Sequence, residues 1–526
     1  MRRLPGQEAH IDRLSDDVLL EILEHINEEV FRKLRTAVQE WMRLAQISQR
    51  WRAMVFSVSK FWRIIPVGHR PESLTFFLSR VKGSRTALDI FFMTSKFPGH
   101  RVCMLRPFSP SLPLLSFEFL ADDLDEAEWA DPLASLMSSR MPRLELLHIH
   151  FPGDPDNPVE TLDLGLDWLR SPSLHTLGLT GLRVPTRIAH LRNLYISHGR
   201  WDVSWSQLLD TLEHNPELEE LKIEHYFRWS VPNDFPDSQH RPVIRLGRLQ
   251  ELEIQGVNSN ETALILGHLD LPNVKHLRLV GDLDRLADLE VPLIAIRSLF
   301  PREWQAIRRV VPRLTKPAQV MLHNCFDDYS VQCITEDEEI LWSLSSYYID
   351  WHPNLEDLIL DFIHIFGQQK VRIDLSIHAT RLPAVHDDVW HQLFRSLNLC
   401  KLTLTRYTGS LCDLWTGLCR AAELSSSTHG IRQQLSMVSI THWPWYATRG
   451  STARDQYSVD LTDMEEGLRI LADHGTRLEE LNWTIVGGRG ILKPSFREEA
   501  TARLGAYVAK VCVDAQHTPP NLEGYY

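Results

Sequence analysis

The sequence predicts an α/β protein: a short N-terminal helical module followed by an irregular repeat solenoid, a curved parallel sheet with outer helices. Three observations predict it. Apolar residues between Asp12 and Phe56 follow the 3.6-residue period of a helix, with no Gly or Pro between Gly6 and Pro66. From about residue 140 one short apolar pattern recurs ten times. Between copies lie leucine-spaced segments such as WSQLLDTLEHN and ADPLASLMSSR, which suit helices covering the sheet's outer side.

In the first segment, DRLSDDVLLEILEHI, Leu14, Val18, Leu19, Ile22, Leu23 and Ile26 paint one stripe on a helix. Ser15 is placed to cap it, and Asp16 and Asp17 sit in the first turn, where the helix dipole favours anions. A second helical stretch is expected over roughly 31–56, with Leu44, Ile47, Trp51 and Val55 on one face. KFWRIIPV closes the unit with a tryptophan and a short extended piece.

These residues, RLSDDVLLEILEHI and then QISQRWRAMVFSVSKFW, resemble an F-box, in the form common in mushroom-type fungal proteins. Leu14, Ile22, Ile47, Trp51, Arg52 and Trp62 fill the slots of that family's pattern; Ser15 replaces its usual proline and Ser48 its usual cysteine. The resemblance covers about 55 of 526 residues. It implies docking to a Skp-type adaptor and through it to a cullin-RING ubiquitin ligase. The partner-facing side chains would be Leu14, Val18, Leu19, Ile22, Ile47 and Trp51, an apolar helix face seated in a groove. The same stripe equally suits packing on the protein's own solenoid.

The repeat reads apolar-x-x-apolar-x-apolar. It occurs at Leu144-Leu147-Ile149, Leu174-Leu177-Leu179, Leu191-Leu194-Ile196, Leu218-Leu221-Ile223, Leu249-Leu252-Ile254 and Val274-Leu277-Leu279. Further copies start at Leu355, Leu399, Leu435 and Leu478, and five of the ten follow a Pro-x-Leu-type turn such as MPRL or NPEL. This resembles leucine-rich repeats, in which the last two apolar positions point inward from a short parallel strand. The copies are 17 to 81 residues apart, and the family's Asn or Cys three positions past the last leucine is missing, so the solenoid is irregular.

The organisation expected is a flexible N-terminus over 1–10, the helical module over 11–66, the solenoid over 67–513 and a disordered tail over 514–526. The largest gap, near 282–354, marks an insertion or a divergent repeat: PAQVMLHNC and DYSVQCI read as strands, and Thr335-Glu-Asp-Glu338 as a capping box opening a helix, EEILWSLSSYY. Leu88–Phe92 and Leu115–Phe119 read as earlier strands.

Composition excludes several functions. The formal charge is −13 with a pI of about 6.0, and no basic stripe interrupts the acidity, so nucleic acid is not an expected partner. The seven cysteines are dispersed without CxxC spacing, as in reduced intracellular proteins. The N-terminus carries charges where a signal peptide needs an apolar run, and no run is long enough to span a membrane; cytoplasm, nucleus or both is the expected location. No phosphate loop, zinc-protease helix or nucleophile elbow is present, so neither enzyme activity nor a cofactor is expected. His148 and His150 share one strand face but lack a third ligand, and the acidic run 122–131 reads as a solvated helix start or loop.

The binding surface expected is instead the concave face, where Glu220, Glu224, Glu251, Glu253, Arg278, Asp357 and Asp361 are the foremost candidates for contacting a target protein. Their acidity favours a basic segment on that target. The leading reading is therefore a substrate-recognition subunit of a ubiquitin ligase. The alternative is a leucine-rich scaffold whose helical segment only caps the first repeat.

Overall fold

A computed structural model of the chain describes residues 14–31, 37–62, 64–67, 71–81, 89–94, 99–119, 126–150, 166–180, 188–197, 205–224, 243–282, 296–325, 328–338, 341–347, 355–367, 370–379, 385–407, 411–427, 435–442, 453–487 and 494–517. It divides into two compact units, Met1–Asp237 and Ser238–Tyr526. Each is an α/β array built on mostly parallel strands, solenoid-like in its strand-after-strand order. The expected flexible N-terminus lies outside the described residues, as does the expected tail from 518 onward; the tail's first residues, Asp514–His517, are strand instead, paired in parallel with Thr484–Gly487.

The first unit opens with three helices, α1 (Asp16–Phe31), α2 (Ala37–Leu44) and α3 (Gln49–Ser57), and a 3-10 turn, Ser59–Trp62. The single long helix expected over 31–56 is thus two. Ser48 is the reason: its extended backbone breaks the run and its hydroxyl accepts the Trp51 N–H at 3.3 Å, capping α3. Ser15 does the same for α1, accepting the Val18 N–H. The two residues that depart from the F-box pattern are both helix caps.

Trp62 joins the helices to the strand array. Its indole N–H donates to the Val55 carbonyl at 2.8 Å, and its ring stacks on Phe56 and meets Phe76 and Phe77 edge-on or tilted. Two residues later the first strand begins. The array runs β1 (Ile64–Val67), α4 (Pro71–Val81), β2 (Asp89–Thr94), α5 (Gly99–Leu105), β3 (Leu114–Phe119), α6 (Glu126–Met137), β4 (Leu146–His150), β5 (Thr176–Thr180), β6 (Asn193–Ser197), α7 (Trp205–Glu213) and β7 (Glu220–Glu224).

All seven strands are parallel and pair in chain order. The register aligns the repeat: Ile65, Ile90, Leu115, Leu147, Leu177, Leu194 and Leu221 form one cross-strand row, every member buried. The first position of the pattern is buried as well, at Leu144, Leu174, Leu191 and Leu218.

The recurrent prolines have a geometric reason. Leu144, Leu174 and Leu218 each donate the backbone N–H to the carbonyl three residues back, on Met141, Ser171 and Asn215, at 3.1–3.2 Å. Pro142, Pro172 and Pro216 therefore occupy the second position of a β-turn, where a fixed φ is preorganised. Asn215 is fully buried. Its amide accepts the Leu191 N–H at 2.8 Å and donates to the Ile188 carbonyl at 2.9 Å, tying one rung to the next. The slot where the repeat family carries an asparagine holds none in this sequence, and a turn residue supplies the bonds instead.

The second unit contains β8 (Ile244–Arg245), β9 (Glu251–Asn258), α8 (Ser259–Gly267), β10 (Leu269–Asp270), β11 (His276–Asp282), α9 (Trp304–Val310), β12 (Ala318–Cys325), β13 (Asp328–Thr335), β14 (Leu341–Tyr347) and α10 (Leu355–Phe366). It continues through β15 (Ile373–Ala379), α11 (Asp387–Ser396), β16 (Leu399–Tyr407), α12 (Leu411–Ser427), β17 (Met437–His442), α13 (Ala453–Asp473), β18 (Glu480–Gly487), α14 (Pro494–Leu504) and β19 (Lys510–His517). Strands β9, β11 and β14 are parallel neighbours, β13 runs antiparallel between β14 and β12, and β12 and β15 to β19 are parallel. The short β8 and β10 form a separate parallel pair.

Two sequence expectations are corrected here. LEDLIL, expected as a repeat strand, is the start of α10. The apolar positions Leu355, Leu358, Ile359, Phe362, Ile365 and Phe366 are all buried and fit helical spacing over twelve residues, which a six-residue window cannot distinguish from the repeat. EEILWSLSSYY, expected as a helix, is largely strand β14. Its Leu-Trp-Ser-Leu-Ser alternation has period two, with Trp342 and Leu344 buried. Thr335–Glu338 is a turn, with Glu338 at φ 55 and its N–H on the Thr335 carbonyl.

Three helices of this unit interlock through glycine. A Cβ on Gly417 of α12 would lie 2.5 Å from the Trp390 Cβ and 2.7 Å from the Asp387 carbonyl oxygen of α11. A Cβ on Gly467 of α13 would lie 2.8 Å from the Trp415 Cβ of α12. Each glycine lets a neighbouring tryptophan sink between helices, and both indoles are buried.

Candidate interaction surfaces

The three N-terminal helices divide the expected adaptor-binding residues into two groups. Leu19 and Trp51 are 1% and 3% exposed and form the module's interior. Val18 and Ile47 are 41% and 42% exposed, while Leu14 and Ile22 are half-buried. The starts of the two helices are joined: Arg50, in the first turn of α3, donates Nε (2.8 Å) and Nη2 (2.5 Å) to Asp16 Oδ1, in the first turn of α1. Val18 follows Asp16 by two residues and Ile47 precedes Arg50 by three. Met42, on α2, is also 40% exposed. Such side chains gain free energy only when a partner covers them.

On the sheets, positions between the buried rows point to the opposite face. In the first unit the expected Glu220 is already engaged: it accepts the Tyr195 hydroxyl at 2.5 Å and an ion pair from Lys222 at 2.7 Å. Lys222 also lies 5.6 Å over the Tyr195 ring. Glu224 is half-buried at the end of β7. His148 lies over Gly178, where an added Cβ would sit 2.3 Å from its Cδ2. The histidine thus packs on the neighbouring rung.

In the second unit Glu251 is half-buried and Glu253 buried, and Glu253 pairs with Arg278 on the next strand at 2.9 Å. Asp357 and Asp361 lie on helix α10 and not on the strand face, which corrects their expected position. Asp361 is buried and accepts the backbone N–H groups of Ile296 and Arg297, at 3.1 Å each, at the start of a 3-10 turn. Burial pushes its carboxyl up to about 7, against the pull of those two N–H groups. It is a structural clamp for the chain entering α9.

The acidic character expected for this face is mostly cancelled within it. Lys401 pairs with Asp374 at 3.1 Å and Lys510 with Glu480 at 2.7 Å, each across adjacent strands. The Lys510 ammonium holds the Glu480 carboxyl below its usual range. Two residues further along the strands, Ser343, Gln332, Met321, Ser376, Thr403, Ser439 and Asn482 are register partners in succession. None carries a charge. Sequence reading misses this because it takes charged residues one strand at a time, whereas pairing is a property of register.

Among the described residues no group of three or more metal-ligating side chains comes together, and no helix is long and apolar enough to cross a membrane. One buried titratable pair is inside the second unit, not on a surface: His442 Nδ1 is 3.4 Å from Asp460 Oδ2, with burial pushing the imidazole down to about 4. The Gly487–Gly490 loop lies largely outside the described residues. No family model matches the sequence, and no curated protein matches it.

Proposed function

We propose that the protein is a substrate-recognition subunit of a cullin-RING ubiquitin ligase, its F-box-like helices docking a Skp-type adaptor and its leucine-rich array holding a target protein. The observation that carries this reading is the pair Val18 and Ile47, both apolar and exposed, one in α1 and one just ahead of α3, the two helices whose first turns the Asp16–Arg50 pair joins. Both positions belong to the stripe that resembles the docking helices, and the two residues out of pattern, Ser15 and Ser48, preserve the helix starts as caps. Nine of the ten leucine pattern copies lie on strands in register, which supports the leucine-rich reading of the rest. The protein would contribute proximity between target and ligase and no reacting group.

Co-purification of the full chain with a Skp-type adaptor tests the reading. A Val18→Asp/Ile47→Asp double substitution places two charges in a desolvated contact and should reduce adaptor affinity at least ~100-fold, since centrally buried contacts carry most of an interface's energy. Its far-ultraviolet circular dichroism should match that of the wild type, because both residues are exposed. Trp51→Ala is the wrong probe: it removes interior packing and reads stability. If the intact chain fails to bind the adaptor, the leucine-rich scaffold with a helical cap stands in its place.

A further inference from the structure

One pair of side chains on the second unit's sheet face is unlike its surroundings. His323 of β12 and His378 of β15 occupy matching register positions on adjacent parallel strands. Their ring centroids are 5.6 Å apart with planes inclined at 42°, so the rings neither stack nor diverge. Two imidazoles bound to one tetrahedral ion, with nitrogen at ~2.1 Å from the metal, have ring centres roughly 5 Å apart. The observed separation of 5.6 Å is close to that value.

The surroundings also suit an ion that seeks imidazole. Ser330, paired with His323 on its other side, carries a buried hydroxyl oxygen with no hydrogen-bond partner. Thr405 adjoins His378, so the row offers hydroxyls and no carboxylate. Arg406, the residue after Thr405, adds a positive charge to the surroundings of His378. A neutral imidazole is the ligating form. The nearby Arg406 cation disfavours hard ions held by charge alone. Zn2+, Cu2+ and Ni2+ bind imidazole through directional donor bonds and tolerate it better.

We propose that His323 and His378 form a binding site for a transition ion of the Zn2+ or Cu2+ class. The ion clamps the inserted strands β12 to β14 onto β15, where the parallel array resumes, and its remaining positions are filled by water or by a donor from a bound ligand. The site does not depend on the ubiquitin-ligase reading.

The test is a titration of the full chain with ZnCl2 and separately with CuCl2, in competition with a chromophoric chelator, with MgCl2 as control. Wild type should show one saturable site above the background of its other histidines. His323→Gln and His378→Gln should each remove it, a loss larger than the ~10–100-fold that outer-shell changes cause. His25→Gln, on exposed α1, should leave it intact. The Cu2+-loaded wild type should show electron-spin hyperfine structure from two nitrogens. Binding should weaken on lowering the pH from 7.5 to 5.5 as the imidazoles protonate. Zn2+ should also raise the thermal midpoint of wild type and not of His378→Gln, because an ion bound only by the folded state stabilises it. Equal stoichiometry and affinity in wild type and both glutamine variants, or no saturable site in wild type, would overturn the proposal.

Discussion

The strand arrays of the two units solve one packing problem in different ways. In the first, seven strands follow one another in parallel, and each connection returns the chain to the same end of the sheet. In the second, the chain leaves β11, places β12 three positions away, and comes back through antiparallel β13 to lay β14 beside β11. Yet the buried rows run unbroken through the reversal. Leu277, Trp342, Cys333, Val320 and Leu375 are register partners in succession, as are Leu279, Leu344, Val331, Leu322 and Ile377. The array therefore depends on which residues meet across strands, and strand direction is secondary: side chains alternate faces with period two in either direction.

If the inserted strands are structural members of the array, removing a side chain from them is as costly as removing one from a leucine rung. Trp342 is fully buried and stacks on Phe366 at 4.4 Å. Trp342→Ala should destabilise by ~3–5 kcal/mol, comparable with or greater than the ~2–5 kcal/mol for Ile149→Ala in the first unit. Urea denaturation followed by circular dichroism measures both. A loss under about 1 kcal/mol for Trp342→Ala would make the insertion a decoration and leave the two arrays without a common packing rule.

The glycines extend the contrast. Alanine in place of glycine inside a helix ordinarily gains up to ~1 kcal/mol. At Gly417 the added methyl meets the Trp390 Cβ and two backbone atoms of α11, none of which can rotate away. Gly417→Ala should thus cost ~1–3 kcal/mol. At Gly178 in the first unit the obstacle is the His148 ring, which turns about its own χ angles. Gly178→Ala should cost less than Gly417→Ala in the same urea titration, because Gly417 is set against fixed helix backbone and Gly178 against a side chain.

Legibility in the sequence divides along the same line. Repeat strands with apolar residues at all three positions, and leucine at one or more of them, are readable, because burial on one sheet face leaves a fixed spacing. Rungs that substitute other residues escape notice, as where β1 starts from Trp62 and β15 has Arg372 in the place of the first leucine; β19, with Val508, Val511 and Val513, keeps the spacing without a single leucine. LEDLIL misleads because strand and helix periods coincide over so few residues. At the docking module, the stripe Leu14–Trp51 is readable as apolar, but not which of its members face inward. That depends on how α1 and α3 meet, and the Asp16–Arg50 contact fixing their ends joins residues 34 apart. The cancellation of acidic charge on the second sheet is illegible for the same reason.

The smallest expected effect concerns Asp361, whose clamp has no counterpart among the described residues of the first unit. Its folded-state carboxyl titrates near 7, above the ~3.9 of an unfolded chain, so the folded state holds the proton more tightly. The stability this contributes is fully present below about pH 3.9 and is lost as pH rises through about 7. Asp361→Asn keeps an oxygen to accept the Ile296 and Arg297 N–H groups and removes the charge. The variant should gain on the order of 1 kcal/mol over wild type at about pH 8, with the difference shrinking towards about pH 5. The gain is held down because an ionised carboxylate accepts stronger hydrogen bonds than an amide does. Thermal midpoints of both proteins across that range decide it. A variant less stable than wild type at the alkaline end would show that the two N–H bonds outweigh desolvation, and that Asp361 is ionised in its buried seat.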